Sequence, residues 1–246
     1  MNLEKWQLHD GERLDDLNCK GYQVIQDPDS FCFGMDAVLL ANYVETKPGA
    51  KVLDMCTGTG IIPILLAAKI DPSHIDALEL QEASAERAVR SVEGNGLLDL
   101  ITVTQGDVKD AATIYKPASF DIVTVNPPYM PAQSGLHNPN SAKNIARHEI
   151  YCTLDDVLSQ AAKLLHPRGQ FFMVHRPSRL PEILSKMTKY GLEAKRMRLV
   201  YPYADKAPNM VLLEGARGGR PQLTVERPLV IYDKDGNYTD DVPKDQ

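Results

Sequence analysis

Residues 52–60, Val-Leu-Asp-Met-Cys-Thr-Gly-Thr-Gly, decide the fold that this sequence predicts. An apolar stretch that favours a β-strand leads into a turn with two glycines, and residues 61–68 (IIPILLAA) continue as a buried helix. Pro63 falls in the first helical turn, where the missing N–H costs little. A strand, a tight turn and a helix in this order form half of a doubly wound α/β unit, which binds ligands at the carboxyl edge of its sheet.

Gly58 and Gly60 allow a ligand to approach the main chain closely, because neither carries a Cβ. Their spacing is Gly-x-Gly, and Pro63 stands where a dinucleotide fingerprint has its third glycine. This disfavours a nicotinamide or flavin site. The pattern that starts at Asp54, Asp-x-x-x-Gly-x-Gly, instead resembles the first motif of the Rossmann-like S-adenosylmethionine (SAM) methyltransferases. A tight turn without a ligand is the alternative.

The bulk properties limit the class of protein. The 246 residues fit one large domain with appendages. We expect an N-terminal cover over residues 1–33, in which residues 22–26 can pair as a hairpin, a methyltransferase domain over residues 34–220, and an extra strand with a loose tail over residues 221–246. No apolar segment approaches the roughly 20 residues of a membrane span and no N-terminal signal stands out, so we expect a cytoplasmic protein without membrane contact. Four widely spaced cysteines indicate neither a disulfide framework nor a metal site.

Charge is distributed unevenly along the chain. The net charge is −6, yet residues 163–220 contain 12 Lys or Arg against 4 Asp or Glu. One face could therefore be basic and contact nucleic acid, and a scatter of solvated charges is the alternative. Six arginines mark the later strand ends and connections, where they could bind RNA phosphates: Arg176, Arg179, Arg196, Arg198, Arg217 and Arg220.

Acidic residues end or follow the next two predicted strands. Glu79 ends a strand over residues 75–80, about 20 residues beyond the glycine turn, where a carboxylate can accept both hydrogen bonds of a ribose diol. Asp107 follows the third strand; in the methyltransferase pattern an acid there meets the adenine amine, with Val108 against the ring. Earlier in the chain, Asp36 is either a first-turn acid that complements a helix dipole or part of a loop over the methionine end of the cofactor.

The sequence Asn126-Pro127-Pro128-Tyr129 directly follows a strand predicted over residues 120–125. Its prolines remove two N–H donors and leave carbonyls that only accept hydrogen bonds, beside an amide that both accepts and donates. Such a cluster suits a planar substrate with an NH2 group, because the amide oxygen and a proline carbonyl accept the two N–H bonds while the aromatic ring stacks on the base. Transfer to that nitrogen then needs mostly positioning and desolvation. A purely structural turn is the alternative.

Residues 130–150 have no clear periodicity, and a long irregular segment beside a site often acts as a lid. Within it, Arg147 and His148 could contact substrate phosphate or simply lie on the surface. Thr153 then opens a helix as its N-cap, and residues 170–175 are predicted as the fifth strand.

With these motifs in place, the chain resembles the Asn-Pro-Pro-Tyr class of SAM-dependent amino methyltransferases over about residues 20–220. More closely, residues 33–40 (FGMDAVLL), 53–60, 126–129 and 146–149 (ARHE) resemble the bacterial tRNA adenine-N6 methyltransferases, which modify the adenosine on the 3′ side of the anticodon in a valine tRNA. The resemblance implies an α/β Rossmann-like fold with a seven-stranded, mostly parallel sheet and an antiparallel terminal strand. It also implies SAM as the cofactor and tRNA as the partner, and leaves open whether the protein is a monomer or a dimer.

The motifs and this resemblance together give three groups of expected site residues, and no metal ligand. The expected catalytic residues are Asn126, Pro127 and Tyr129. The expected cofactor-binding residues are Gly34, Asp36, Asp54, Thr57, Gly58, Gly60, Glu79, Leu80, Asp107, Val108 and Asn126. The expected substrate-binding residues are Pro128, Arg147, His148, Arg176 and Arg198.

Three other functions fit parts of the sequence. A glutamine-N5 methyltransferase of a release factor would use the same planar NH2 group, but that class carries an N-terminal helical substrate domain that 33 polar residues cannot form. A guanine-N2 methyltransferase of ribosomal RNA more often has an aromatic residue other than Tyr in the fourth motif position. A catalytically silent binding module would need none of Glu79, Asp107 and Asn126.

Overall fold

The computed structural model describes residues 3–30, 32–129 and 152–243. Within these residues the strands form a two-stranded hairpin and a nine-stranded sheet. The hairpin contains β1 (Arg13–Asp16) and β2 (Gln23–Gln26), and the large sheet contains β3 (Lys51–Met55), β4 (His74–Glu79), β5 (Ile101–Gln105), β6 (Phe120–Val125), β7 (Leu165–His175), β8 (Leu192–Tyr203), β9 (Met210–Arg217), β10 (Thr224–Val225) and β11 (Leu229–Tyr232).

The large sheet has the order β5-β4-β3-β6-β7-β9-β8, and both β10 and β11 pair with β8. Neighbouring strands run parallel except β9, which is antiparallel to β7 and to β8. The Rossmann-like class predicted from the sequence is therefore confirmed, with β9, the last of the seven expected strands, as the antiparallel one. The two short strands β10 and β11 extend the sheet beyond the seven.

Helices cover both faces of this sheet. They are α1 (Met35–Tyr43), α2 (Ile61–Lys69), α3 (Glu82–Gly94), α4 (Ala111–Ile114), α5 (Leu154–Leu164) and α6 (Leu180–Lys189), with short 3-10 helices at Leu3–Trp6, Val108–Asp110 and Pro177–Arg179. The sheet divides the hydrophobic core into two parts, one on each face, as two successive residues of β7 show. Phe172 packs with the buried residues of α1 and α2 on one face, and Phe171 packs with those of α5 and α6 on the other. Among the described residues, no helix has both the length and the apolar character needed to cross a membrane.

The N-terminal residues pack against α3. The Ile25 amide of the hairpin donates to Ser91 Oγ at 3.0 Å. Arg87 and Arg90 of α3 both form ion pairs with Glu12, which precedes β1. Trp6 is buried against α3 as well. Residues beyond β11, expected to form a loose tail, also contact the sheet as far as Val242, which is buried.

Candidate active site

The turn between β3 and α2 has the backbone that its glycines permit. Gly58 and Gly60 have φ angles of +59° and +86°, in the left-handed region that favours glycine. A Cβ on Gly60 would lie 3.2 Å from the Cβ of Ala88 in α3, so the helices also approach too closely here for a larger residue. The Thr57 amide donates to the Leu78 carbonyl at 3.0 Å, which ties the turn to β4.

A cleft opens above this turn at the carboxyl edge of the sheet and contains about 940 Å³ of space, part of it open to solvent. Its lining brings together eight of the expected site residues: Thr57, Gly58, Glu79, Leu80, Asp107, Val108, Asn126 and Pro128. These residues come from the loops after β3, β4, β5 and β6. The expected cofactor-binding residues Gly34, Asp36, Asp54 and Gly60 do not line the cleft.

Glu79 is buried at the end of β4, with its carboxylate fixed by two backbone amides. Gly58 N donates to Oε2 and Gln81 N donates to Oε1, both at 2.9 Å. Burial raises the pKa of Glu79, and these amide donors oppose that increase. The carboxylate is held at the lining of the cleft, where it can accept hydrogen bonds from a ligand such as a diol.

Asp54 lies below the glycine turn and is fully buried. Its Oδ1 accepts a hydrogen bond from Thr124 Oγ1 at 2.6 Å, and burial raises the pKa of this carboxyl group to about 7. Thr57 lies in the lining of the cleft, and its hydroxyl also faces this carboxyl group, whose pKa it lowers.

The turn after β6 is held by contacts to distant parts of the chain. The Tyr129 hydroxyl donates to Asp36 Oδ2 at 2.7 Å and also contacts the Asn126 side-chain amide. The His175 ring meets the Tyr129 ring edge-on, with centroids 5.1 Å apart, and the Arg176 guanidinium carbon lies 5.1 Å from the Tyr129 ring centroid. Burial, together with Asp36, raises the pKa of Tyr129 well above its ordinary value.

His175, the last residue of β7, was not among the expected site residues. Its Nδ1 accepts a hydrogen bond from the Arg176 amide at 2.8 Å, so the neutral ring carries its proton on Nε2. Burial, aided by the charge of Arg179, lowers the pKa of His175 to about 4. Nε2 is buried without a partner in the described structure. The sequence offered no signal for this residue beyond its place at a strand end.

The cleft has further lining residues that were not expected. Gln81 and Ser84 follow Glu79 in the loop and first turn after β4, and Phe33 precedes α1. Cys152 also lines the cleft, close to the start of α5. The first two could have been found from the sequence, because the loop after the second strand of such a sheet belongs to the ligand edge.

The remaining expected site residues differ in their surroundings. Asp107 caps the following 3-10 helix by accepting from Lys109 N at 2.9 Å. Arg176 Nη1 donates to the Asn209 carbonyl at 3.0 Å beside Tyr129, and Arg198, on β8, donates to the Arg227 carbonyl at 3.1 Å. Arg147, His148 and the predicted lid lie outside the described residues.

The six arginines do not form one surface at the ligand edge. Arg179 pairs with Glu182 at 2.7 Å, and Arg196 lies in mid-strand, where it pairs with Glu214. Because β9 is antiparallel, Arg217 at its end and Arg220 beyond it lie toward the opposite, amino edge of the sheet. These two arginines therefore lie away from the edge at which the cleft opens.

One group of described residues has the donor atoms of a metal site. Ligand atoms of His9, Glu12 and Glu86 lie within 4.8 Å of one another. Both carboxylates already bind Arg90, at 2.7 Å and 2.6 Å. The guanidinium charge repels a cation, so we assign no metal to this group.

The sequence of this chain is similar to those of known methyltransferases. The family model described as "Methyltransferase small domain" matches residues 22–191. A tRNA1(Val) (adenine(37)-N6)-methyltransferase of Aeromonas hydrophila is 30% identical over 222 residues, which cover 90% of this chain and 91% of that protein. The protein of the same name from Porphyromonas gingivalis is 27% identical over 206 residues, covering 81% of this chain and 80% of the relative.

The fold has a solved counterpart as well. The crystal structure of a predicted O-methyltransferase from Agrobacterium tumefaciens superposes with a TM-score of 0.67 at 22% identity, covering 84% of this chain and 92% of that one. At this identity the likeness concerns the fold alone. The family match, which extends over more than half of the residues, goes further: the chain belongs to the methyltransferase small domain family.

Proposed function

We propose that the protein is a SAM-dependent methyltransferase that modifies N6 of an adenine in tRNA, at the adenosine on the 3′ side of the anticodon in a valine tRNA. The observation that carries this proposal is the Asn126–Tyr129 turn, which lies at the same cleft as Glu79 and Asp107. One cleft is thus surrounded by the acid that we expect to bind the ribose, the acid that we expect to bind the adenine, and the turn that we expect to bind the amine.

The residues of the cleft fit SAM in several respects. The fixed carboxylate of Glu79 can accept from the ribose diol, and Asp107 with Val108 can bind the adenine end. The Thr57 hydroxyl, in the lining of the cleft, offers a further polar contact. When bound, SAM supplies a methyl group on a positively charged sulfur, which is a strong electrophile.

The protein's own part in the reaction is to hold the amine. The side-chain oxygen of Asn126 and the carbonyl of Pro127 accept the two N–H bonds, so that the nitrogen lone pair points toward the donor. Tyr129 provides an aromatic surface for the base, and Arg176, already above that ring, can stack on the base or bind a phosphate. No strong base is needed, because the alkylated nitrogen becomes acidic and loses its proton to water. The rate enhancement comes from positioning and from exclusion of water.

The choice of tRNA is supported by two relatives that are named as tRNA methyltransferases and that this chain matches over most of their length. An anticodon-loop base is unpaired, so bringing it to Tyr129 costs less than extracting a base from a duplex. A tRNA substrate supports the proposal that the protein acts in the cytoplasm. Guanine-N2 in ribosomal RNA and a protein glutamine remain the second candidates, because each also presents a planar NH2 group.

The direct test is transfer of a labelled methyl group from SAM into total tRNA from a strain that lacks this gene, followed by nucleoside analysis. We expect N6-methyladenosine in a valine tRNA. Label in N2-methylguanosine, or label only in a protein fraction, would replace this proposal with one of the two alternatives.

Asn126→Ala tests the role of the turn. We expect methyl transfer to fall below detection, because the amine loses an acceptor, while the SAM dissociation constant stays within about threefold of the wild-type value. Calorimetric SAM titration of the same preparation serves as the folding control. Near-normal turnover of this variant would refute positioning by Asn126.

A further inference from the structure

The surroundings of Asp36 differ from those of a cofactor ligand. Asp36 lies in the first turn of α1 and is absent from the lining of the cleft. Its Oδ1 accepts from the Ala37 amide at 3.0 Å, and its Oδ2 accepts from the Tyr129 hydroxyl at 2.7 Å. The second bond joins residues 93 positions apart and ties the amine-binding turn to α1.

A count of protons determines the direction of the hydrogen bonds around Tyr129. Two acceptors lie within reach of the single proton of the Tyr129 hydroxyl: Asp36 Oδ2 and, in the structure, Asn126 Oδ1. One proton cannot serve both, and a carboxylate can only accept, so the proton is directed to Asp36. The amide oxygen of Asn126 would then face the Tyr129 oxygen with no proton between them. Exchanging Oδ1 and Nδ2 of Asn126 removes this conflict, because Nδ2 can donate to the Tyr129 oxygen, and we assign the amide in this orientation.

The orientation of the Asn126 amide decides which of its atoms faces the substrate. With Nδ2 held by Tyr129, the carbonyl oxygen of the amide is turned away from the ring, and Asn126 lines the cleft. A substrate amine needs an acceptor at this point. If the amide were reversed, it would present its own N–H groups to the N–H groups of the substrate.

The turn has few other restraints. Residues 126–129 belong to no helix or strand. The Tyr129 ring is limited on its sides by His175 and Arg176, but neither contact orients the hydroxyl. Among the described residues, Asp36 is the carboxylate that accepts the hydroxyl proton.

We propose that Asp36 is a positioning residue for methyl transfer, which orients the Tyr129 hydroxyl and through it presents the Asn126 carbonyl oxygen to the substrate amine. This proposal rests on the proposed function, since it assigns a role within the same reaction. It replaces the expectation that Asp36 binds the cofactor.

The kinetic test compares Asp36→Ala, Tyr129→Phe and the double variant. We expect each single variant to lower kcat by about 10- to 100-fold, as a misplaced reactive group does, with the KM for SAM nearly unchanged. The double variant should be no slower than the slower single variant, because both changes break one chain of contacts. Glu82→Ala removes an exposed first-turn acid of α3 and is the matched control for loss of a helix-terminal charge, with kcat unchanged.

Two results would overturn the proposal. One is an Asp36→Ala variant with a normal kcat and a SAM affinity lowered tenfold or more, which would make Asp36 a cofactor ligand after all. The other is an effect of the double variant equal to the product of the two single effects, which would mean that the residues act independently.

A measurement without RNA separates this proposal from the proposed function. In protein labelled with 13C at the tyrosine Cζ, the signal absent from Tyr129→Phe belongs to Tyr129. We expect Asp36→Ala to move that signal, and Asp36→Glu to return it toward the wild-type position if the longer acid reaches the hydroxyl. Failure of tRNA methylation by the wild-type protein would refute the proposed function alone, whereas an unmoved Tyr129 signal in Asp36→Ala would refute the contact on which this proposal depends.

Discussion

At the scale of a single residue, the buried carboxyl group of Asp54 should make stability depend on pH. Its pKa is raised to about 7 in the folded protein, while the unfolded chain ionises at an ordinary, lower pH. Between these two values the unfolded state loses its proton first. The free energy of unfolding therefore falls as the pH rises from about 4 to about 7, and does not fall further above that.

Asp54→Asn removes this dependence. The Asn oxygen can still accept from Thr124 Oγ1, and no charge has to form in the core. We expect the variant to gain about 1–3 kcal/mol over the wild type at pH 8 and nothing at pH 4, below the roughly 4 kcal/mol that the whole pKa shift would give. Urea denaturation at both pH values measures this, with the exposed Asp99→Asn as control. An equal gain at both pH values would show that ionisation is not the cause.

How well the sequence predicts the surroundings of a single residue depends on how far along the chain its contact partners lie. Glu79 and Asn126 both line the cleft, because strand-end positions next to a glycine turn share one sheet edge. Asp36 was recognised as notable, but its partner Tyr129 is 93 positions away. His175 gave no local signal at all, because its unpaired Nε2 results from burial. Contacts between distant segments cannot be read from local patterns.

At the scale of elements, the first four strands of the large sheet were predicted well, because each is a short apolar run that ends at a turn. The fifth was predicted over residues 170–175, but β7 begins at Leu165. Considered alone, Pro167 and Gly169 suggest that a strand cannot continue through these positions. Pairing of Leu165 with Phe120 of β6 extends the strand across them, with an irregular register. Tertiary pairing here overrides local propensity.

The contact between α3 and the N-terminal residues provides a test at this scale. Gly94 ends α3, and a Cβ there would lie 2.2 Å from the Trp6 ring, which is only 1% exposed. Gly→Ala within a helix normally stabilises by about 0.5–1 kcal/mol. We expect Gly94→Ala instead to destabilise by about 1–3 kcal/mol, because the ring must move.

The Trp6→Ala background supplies the control. Without the ring, Gly94→Ala should become neutral or stabilising, as it is in an unobstructed helix. Urea unfolding of the four proteins measures this cycle. If Gly94→Ala destabilises equally in both backgrounds, Trp6 is not the cause and the N-terminal segment does not rest on α3 in this way.

At the scale of the whole molecule, the electrostatic surface differs from the one that composition suggests. Residues 163–220 carry an excess of basic residues. Many of these charges are already used inside the molecule: Arg179, Lys186, Lys189 and Arg196 all have carboxylate partners. Counting charges along a chain predicts the sign of the charge on a surface. Ion pairs in the folded protein decide how much of that charge remains available to bind a polyanion. We therefore expect RNA binding to depend on the cations that lie near the cleft.

Arg176 is such a cation, because its guanidinium lies over Tyr129 at the edge of the active site. We expect the affinity for tRNA to fall between roughly 50 and 200 mM salt, since bound cations release counterions from the RNA. Arg176→Ala should weaken binding and lower the slope of log affinity against log salt by about one.

Arg168→Ala is the matched control, because Arg168 is exposed beside the amino ends of β3 and β6, at the opposite edge. Filter binding over a salt series measures all three proteins. A flat salt profile for the wild type would favour a protein substrate, and equal effects of the two substitutions would mean that tRNA does not bind at the Tyr129 edge.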